Sequence, residues 1–155
     1  MALLDIRNGD VVKLLYTDFE SDDYRFFKTL NEDVQLKPNE FHKWDIQIEN
    51  GDYVNVTGKE SLYNAIVIAI LTRFNELKNN PLYMDFGCRA HELIKANKSE
   101  MVRYKIEVFI EEVLENMRRI HEINFVEVID DDPSYKVNFG VTSIDDEIVN
   151  GSLNL

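Results

Sequence analysis

Thr57-Gly58-Lys59-Glu60-Ser61-Leu62-Tyr63-Asn64-Ala65-Ile66-Val67-Ile68-Ala69-Ile70-Leu71 is the stretch on which the fold turns. Nearly every position from Leu62 to Leu71 is apolar, and Thr57 with Glu60 has the spacing of a capping box just ahead of it. A helix apolar all round must be buried on most sides, so it is either the centre of the domain or partly covered by a partner. A buried strand is the rival reading for Ala65 to Leu71. The distance from the cap to the stop at Asn79-Asn80-Pro81 favours helix, because proline lacks an amide and clashes with the turn before it.

Working outward, Trp44, Ile46 and Ile48 alternate with Asp45 and Gln47, the period of a half-buried strand. Asn50-Gly51 supplies positive-φ residues for a tight turn, and Tyr53-Val54-Asn55-Val56 is the expected returning strand. Downstream, Arg89 to Lys95 reads as a short helix. A longer one, capped by Asn97 or Ser99, is expected to run to Met117 with Val102, Ile106, Phe109, Val113 and Met117 on one stripe. A second hairpin follows: Ile123 to Ile129, a turn at Asp130-Asp131-Asp132-Pro133-Ser134, then a strand with Tyr135, Val137, Phe139 and Val141 on one face. The order hairpin, helices, hairpin predicts an α+β fold, an antiparallel sheet packed on a buried central helix and two further helices. Residues 1–43 read as an irregular N-terminal arm, with a possible strand at Val11–Tyr16 and a short helix from Ser21 through Phe27. Residues 44–144 read as the core, and 145–155 as a C-terminal tail.

The chain has 155 residues, enough for one domain with a real core, and 45% of them are hydrophobic, which points to folding rather than disorder. No apolar run approaches the roughly 20 residues that span a bilayer, and the start lacks the pattern of a signal peptide. With 29 acidic against 17 basic residues, the net charge of −12 repels phosphates and anionic membranes, so proteins are the expected partners. The single cysteine, Cys88, allows no intrachain disulfide.

Signals for catalysis are thin. Glu76, with Glu92 or Glu100, would be the acid pair of a glycosidase, but nothing in the sequence supplies a cleft. His42, His91 and His121 lack zinc-site spacing, so no metal or other cofactor is expected. Asp85-Phe86-Gly87 has no phosphate loop to accompany it.

Four segments, in order, resemble the tailed-phage baseplate wedge family, the sheath initiators historically labelled lysozyme-like. They are Gly51-Asp52-Tyr53-Val54-Asn55-Val56-Thr57-Gly58, Ile70-Leu71-Thr72-Arg73-Phe74-Asn75-Glu76-Leu77, Met84-Asp85-Phe86-Gly87-Cys88-Arg89-Ala90-His91-Glu92-Leu93-Ile94 and Met117-Arg118-Arg119-Ile120. Asn75 stands where the family usually has glycine, and Met84 where it has proline. At the last motif only Arg119 and Ile120 match. The resemblance implies a non-enzymatic component of a contractile phage tail or related injection system, assembled in the host cytoplasm and located in the virion tail baseplate. It implies contacts with other wedge proteins through Arg73, Glu76, Arg118 and Arg119. Sheath contacts would involve Phe139, Val141, Ile148 and Val149, with tail tube or hub nearby and neither nucleic acid nor membrane as partner. The alternatives are a small cytoplasmic regulator of anti-adaptor type on the same fold and, further off, a peptidoglycan hydrolase.

Overall fold

The computed structural model describes residues 32–41 and 43–155. The strand expected at 11–16, the helix expected at 21–27 and His42 lie outside the described residues. The fold is α+β, with helices and antiparallel sheets.

The apolar run is helix α1 (Gly58–Leu71), with Leu62, Ile66, Val67 and Ile70 almost wholly buried. Its polar exception, Asn64, is buried as well, while Ile68 is 40% exposed, so the helix is not covered all round. Two local expectations fail. The Thr57 side chain makes no capping bond, and the helix ends at Leu71, well before Pro81. Thr72 turns extended there and both its N–H and its Oγ1 bond back to the Ile68 carbonyl, at 2.9 and 2.7 Å. Its own carbonyl is then taken by the Cys88 amide at 2.8 Å, and the Phe74 amide donates to the Cys88 carbonyl at 3.2 Å. Two distant segments thereby close a loop of turns between them.

The N-terminal hairpin is also rearranged. Strands β1 (Asp33–Val34), β2 (Leu36–Pro38), β3 (Trp44–Ile46), β4 (Ile48–Glu49), β5 (Asp52–Tyr53) and β6 (Asn55–Val56) form three two-stranded ribbons. Asn50 and Gly51, at φ 54° and 84°, do turn β4 into β5. Trp44–Ile46, however, pairs with Leu36–Pro38 and not with the returning strand, which instead takes β1. The ribbons meet in a ring of backbone bonds: Gln35 N–H to Val54 O (2.7 Å), Val54 N–H to Gln47 O (3.1 Å) and Gln47 N–H to Gln35 O (2.9 Å). Gln35, Gln47 and Val54 each lie where one ribbon gives way to the next, and they bond to one another.

Where a short second helix was expected there is a single 3-10 turn, Arg89–Glu92. Helix α2 (Glu100–Glu115) starts where Ser99 Oγ accepts the Val102 amide at 3.2 Å, a side-chain cap. Its most buried line is Ile106, Ile110 and Leu114, and the expected Val102, Phe109, Val113 and Met117 flank it as partly buried neighbours.

Strands β7 (Ile120–Asp131), β8 (Ser134–Ser143) and β9 (Ile148–Asn154) make a three-stranded antiparallel sheet with β8 in the middle. The residues expected to be a tail are therefore a strand. Tyr135, Val137, Phe139 and Val141 are fully buried, in the expected alternation. In β7 the core positions Ile120, Ile123 and Val126 come three apart, and irregularities between Ile120 and Glu122 and between Ile123 and Phe125 absorb the extra residues. One buried cluster joins this face to Leu62, Ile66, Val67 and Ile70 of α1 and Ile106, Ile110 and Leu114 of α2. Each such side chain contributes about 1.5–3 kcal/mol by leaving water.

Candidate functional site: a groove beside an edge of the sheet

Tyr135 and Leu155 exchange both backbone bonds, at 3.1 and 2.8 Å, and the Ser143 amide donates to the Glu147 carbonyl at 2.9 Å. In an antiparallel ladder bonded pairs alternate. Given the register, Val149, Gly151 and Leu153 therefore bond to β8, while the amides and carbonyls of Ile148, Asn150, Ser152 and Asn154 point away from it. Ser152 is the exception to full exposure, since the Tyr63 hydroxyl donates to its carbonyl at 3.5 Å. Tyr63 can lie this close because residue 151 is glycine: a Cβ there would come within 2.3 Å of the Tyr63 ring and 2.5 Å of Phe139. Burial pushes the Tyr63 phenol above its ordinary pKa, against the smaller effect of its bond to Ser152.

Beside Ile148, Val149 and Asn150 runs a groove of about 310 Å³. Its far wall is Gln35, Leu36 and Lys37, and its floor comes from Val56, Lys59, Glu60, Tyr63 and Asn64. Asn64 holds that wall in place. Its Nδ2 donates to the Val34 carbonyl at 2.8 Å and its Oδ1 accepts the Leu36 amide at 3.4 Å, the two bonds a neighbouring strand would make. The opposite edge of the sheet, β7, has one such group occupied. On β7 the outward amide of Val128 is already taken by Glu107 Oε1 of α2 at 3.1 Å. The open backbone near the groove is on β9.

Phe139 and Val141 are fully buried and Val149 is 5% exposed, so these three side chains hold the core and face the helices. Ile148, 61% exposed, is at the surface and lines the groove. The strand carrying Phe139 and Val141 is paired on both sides, which leaves β7 and β9 as the sheet's two edges.

The four residues expected at a wedge contact are not gathered into one site. Arg119 is half-buried and donates to the Gly58 carbonyl at 3.0 Å and to Ser61 Oγ at 3.3 Å, in the first turn of α1. Burial lowers its pKa, and the Asp33 carboxylate acts against that shift. Arg73 and Glu76 are exposed beyond the other end of α1, where Glu76 Oε2 accepts the Arg73 amide at 3.1 Å. At 1.5 Å per residue, the length of α1 separates the two ends by about 20 Å. Arg118 is exposed on the side of Arg119. Near Arg73 lies a smaller hollow of about 160 Å³ between Phe74, Phe86, Phe109 and Met117, where Arg89 sits over the Phe109 ring at 4.9 Å.

Glu92 is beside Arg89 and Glu100 beside Arg103, both at the surface. Among the described residues no cluster of histidine, cysteine and acids is arranged for a metal. Sequence reasoning missed Lys37, Lys59, Tyr63, Asn64 and Asn150. Only Asn64 carried a signal, as a polar residue inside an apolar run. Neither a protein-family model nor a curated protein sequence matches this chain significantly.

Proposed function

We propose that this chain is a structural, non-enzymatic wedge component of a contractile-tail baseplate, which binds neighbouring wedge proteins and starts the sheath by accepting a strand on β9. The observation that carries the reading is the outward backbone of Ile148 and Asn150, which pairs with no other strand among the described residues and lies beside a preformed groove. An open strand edge recruits an extended segment by main-chain hydrogen bonds, with no side-chain chemistry required. Phe139, Val141 and Val149 then keep the receiving strand rigid against the buried central helix, while Ile148 touches the incoming chain. Arg73 and Glu76, exposed at the far end of α1, are the wedge-side contact. The segments that carry the family resemblance support this. Thr72–Phe74 and Cys88 meet through backbone bonds, and Asn75 holds the left-handed conformation, φ 63°, that the family's glycine would take.

Searching the genes beside this one for sheath and wedge subunits, then reconstituting the chain with them and imaging the particles by electron microscopy, tests the reading. The native chain should yield baseplates bearing a first sheath ring. Asn150→Pro, which removes an outward amide and no ladder bond, should yield wedges without sheath. Sheath that nucleates equally well without this chain would refute the function.

A further inference from the structure

The groove differs in charge from the molecule that contains it. The chain carries −12 overall, yet the groove's charged residues are Lys37, Lys59 and Glu60, a local excess of cation. Both lysines are exposed, and among the described residues neither is in an ion pair. They flank the same opening from different elements, Lys37 from β2 and Lys59 from the first turn of α1. Most of the remaining lining is apolar or neutral, including Leu36, Val56, Tyr63 and Ile148. Outward backbone groups on one wall, Val56 and Tyr63 on the floor and the two ammonium groups of Lys37 and Lys59 at the opening describe one kind of occupant.

We propose that the groove selects an extended segment of another protein in which apolar residues alternate with carboxylates. Its backbone pairs with Ile148 and Asn150 and its acids are met by Lys37 and Lys59. The proposal rests on the strand-accepting reading of β9 and adds the chemistry of the partner. Alternation follows from strand geometry: successive side chains of an added strand point to opposite faces, so one set meets the floor and the other stays near the rim. The surrounding negative field repels acidic segments elsewhere on this surface, which confines them to the groove.

The probes are labelled seven-residue peptides in which valine and threonine alternate with glutamate, glutamine or lysine. Binding to the full chain is read by fluorescence anisotropy at low salt. The glutamate peptide should bind about tenfold tighter than the glutamine one, the size expected from two exposed ion pairs, and the lysine peptide should bind weakest. Lys37→Glu with Lys59→Glu should invert that order. Both lysines are exposed, and circular dichroism of the double variant checks its fold. Equal binding of the glutamate and glutamine peptides, both lost in Asn150→Pro, would overturn the charge selection and leave strand addition standing. Equal binding to Asn150→Pro and to the native chain, or no binding of any peptide, would overturn both. Self-association by sedimentation that Asn150→Pro abolishes would give the groove to a second copy of this chain and overturn the proposed partner.

Discussion

Cys88 has its Sγ against the Ala90 amide at 3.4 Å and is 1% exposed. Burial, with Glu112 adding a little, pushes its thiol from 9.0 up to about 11, against the smaller effect of the Ala90 amide. The folded chain thus holds this proton more tightly than the unfolded chain does. The resulting stabilisation is complete below pH 9 and disappears as pH rises to 11. Urea unfolding at pH 8 and pH 11 should show the native protein losing about 2–3 kcal/mol more than Cys88→Ala. At pH 8 a thiol reagent should label Cys88 only as fast as the protein opens. One residue earlier, Gly87 has φ 110°, and a Cβ there would sit 2.5 Å from the Arg73 carbonyl oxygen. Gly87→Ala should cost at least about 2 kcal/mol in the same measurement, from strain and overlap together. The left-handed backbone at Asn75 suits its residue type, because asparagine tolerates that conformation. The burial of Cys88 was legible only as a tendency of its type.

At the scale of elements, β9 is where the sequence reading and the structure part most. Read as a tail, the stretch with Ile148, Val149, Leu153 and Leu155 is too short to bury them alone. Beside β8 it needs only one buried face, and Val149 and Leu153 supply it. Leu153→Ala should therefore destabilise the protein by about 2–4 kcal/mol in urea unfolding, where a dispensable tail would register nothing. Hydrogen exchange should alternate along the strand. The amides of Ile148 and Asn150 exchange early, while those of Val149 and Leu153 are protected nearly as long as the core. Uniform protection from 148 to 153 would mean that the edge is already occupied. Helix α2 was legible almost to its ends because its cap is local, but its most buried line, Ile106, Ile110 and Leu114, lies beside the stripe read from periodicity and shares only Ile106 with it. Helix α1 was read too long, since its end at Thr72 depends on backbone bonds to Cys88.

Across the whole molecule, Arg119 links parts distant in sequence. Its guanidinium holds Gly58 and Ser61 at the start of α1, and its carbonyl accepts the Ile144 amide at 3.0 Å, just before the turn into β9. Arg119→Met should lower stability by about 1–3 kcal/mol, with the Gly58 carbonyl left without that donor. A double-mutant cycle with Ser61→Ala should show the two effects to be coupled. An Arg119 variant therefore tests the fold before it tests any partner, and Arg73→Glu is the cleaner probe of a wedge contact.

Residue order by itself determined what depends on near neighbours. The buried identity of α1, the start of α2, the Asn50-Gly51 turn and the inward face of β8 all follow from periodicity and turn chemistry within a few residues. Tertiary structure alone decided which strand lies at the rim, how three ribbons share Gln35, Gln47 and Val54, and that Lys37 and Lys59 face one groove. The reason is that a strand's side-chain alternation specifies which face is buried. Its backbone donors and acceptors are the same for nearly any sequence, and so do not specify which neighbour they join.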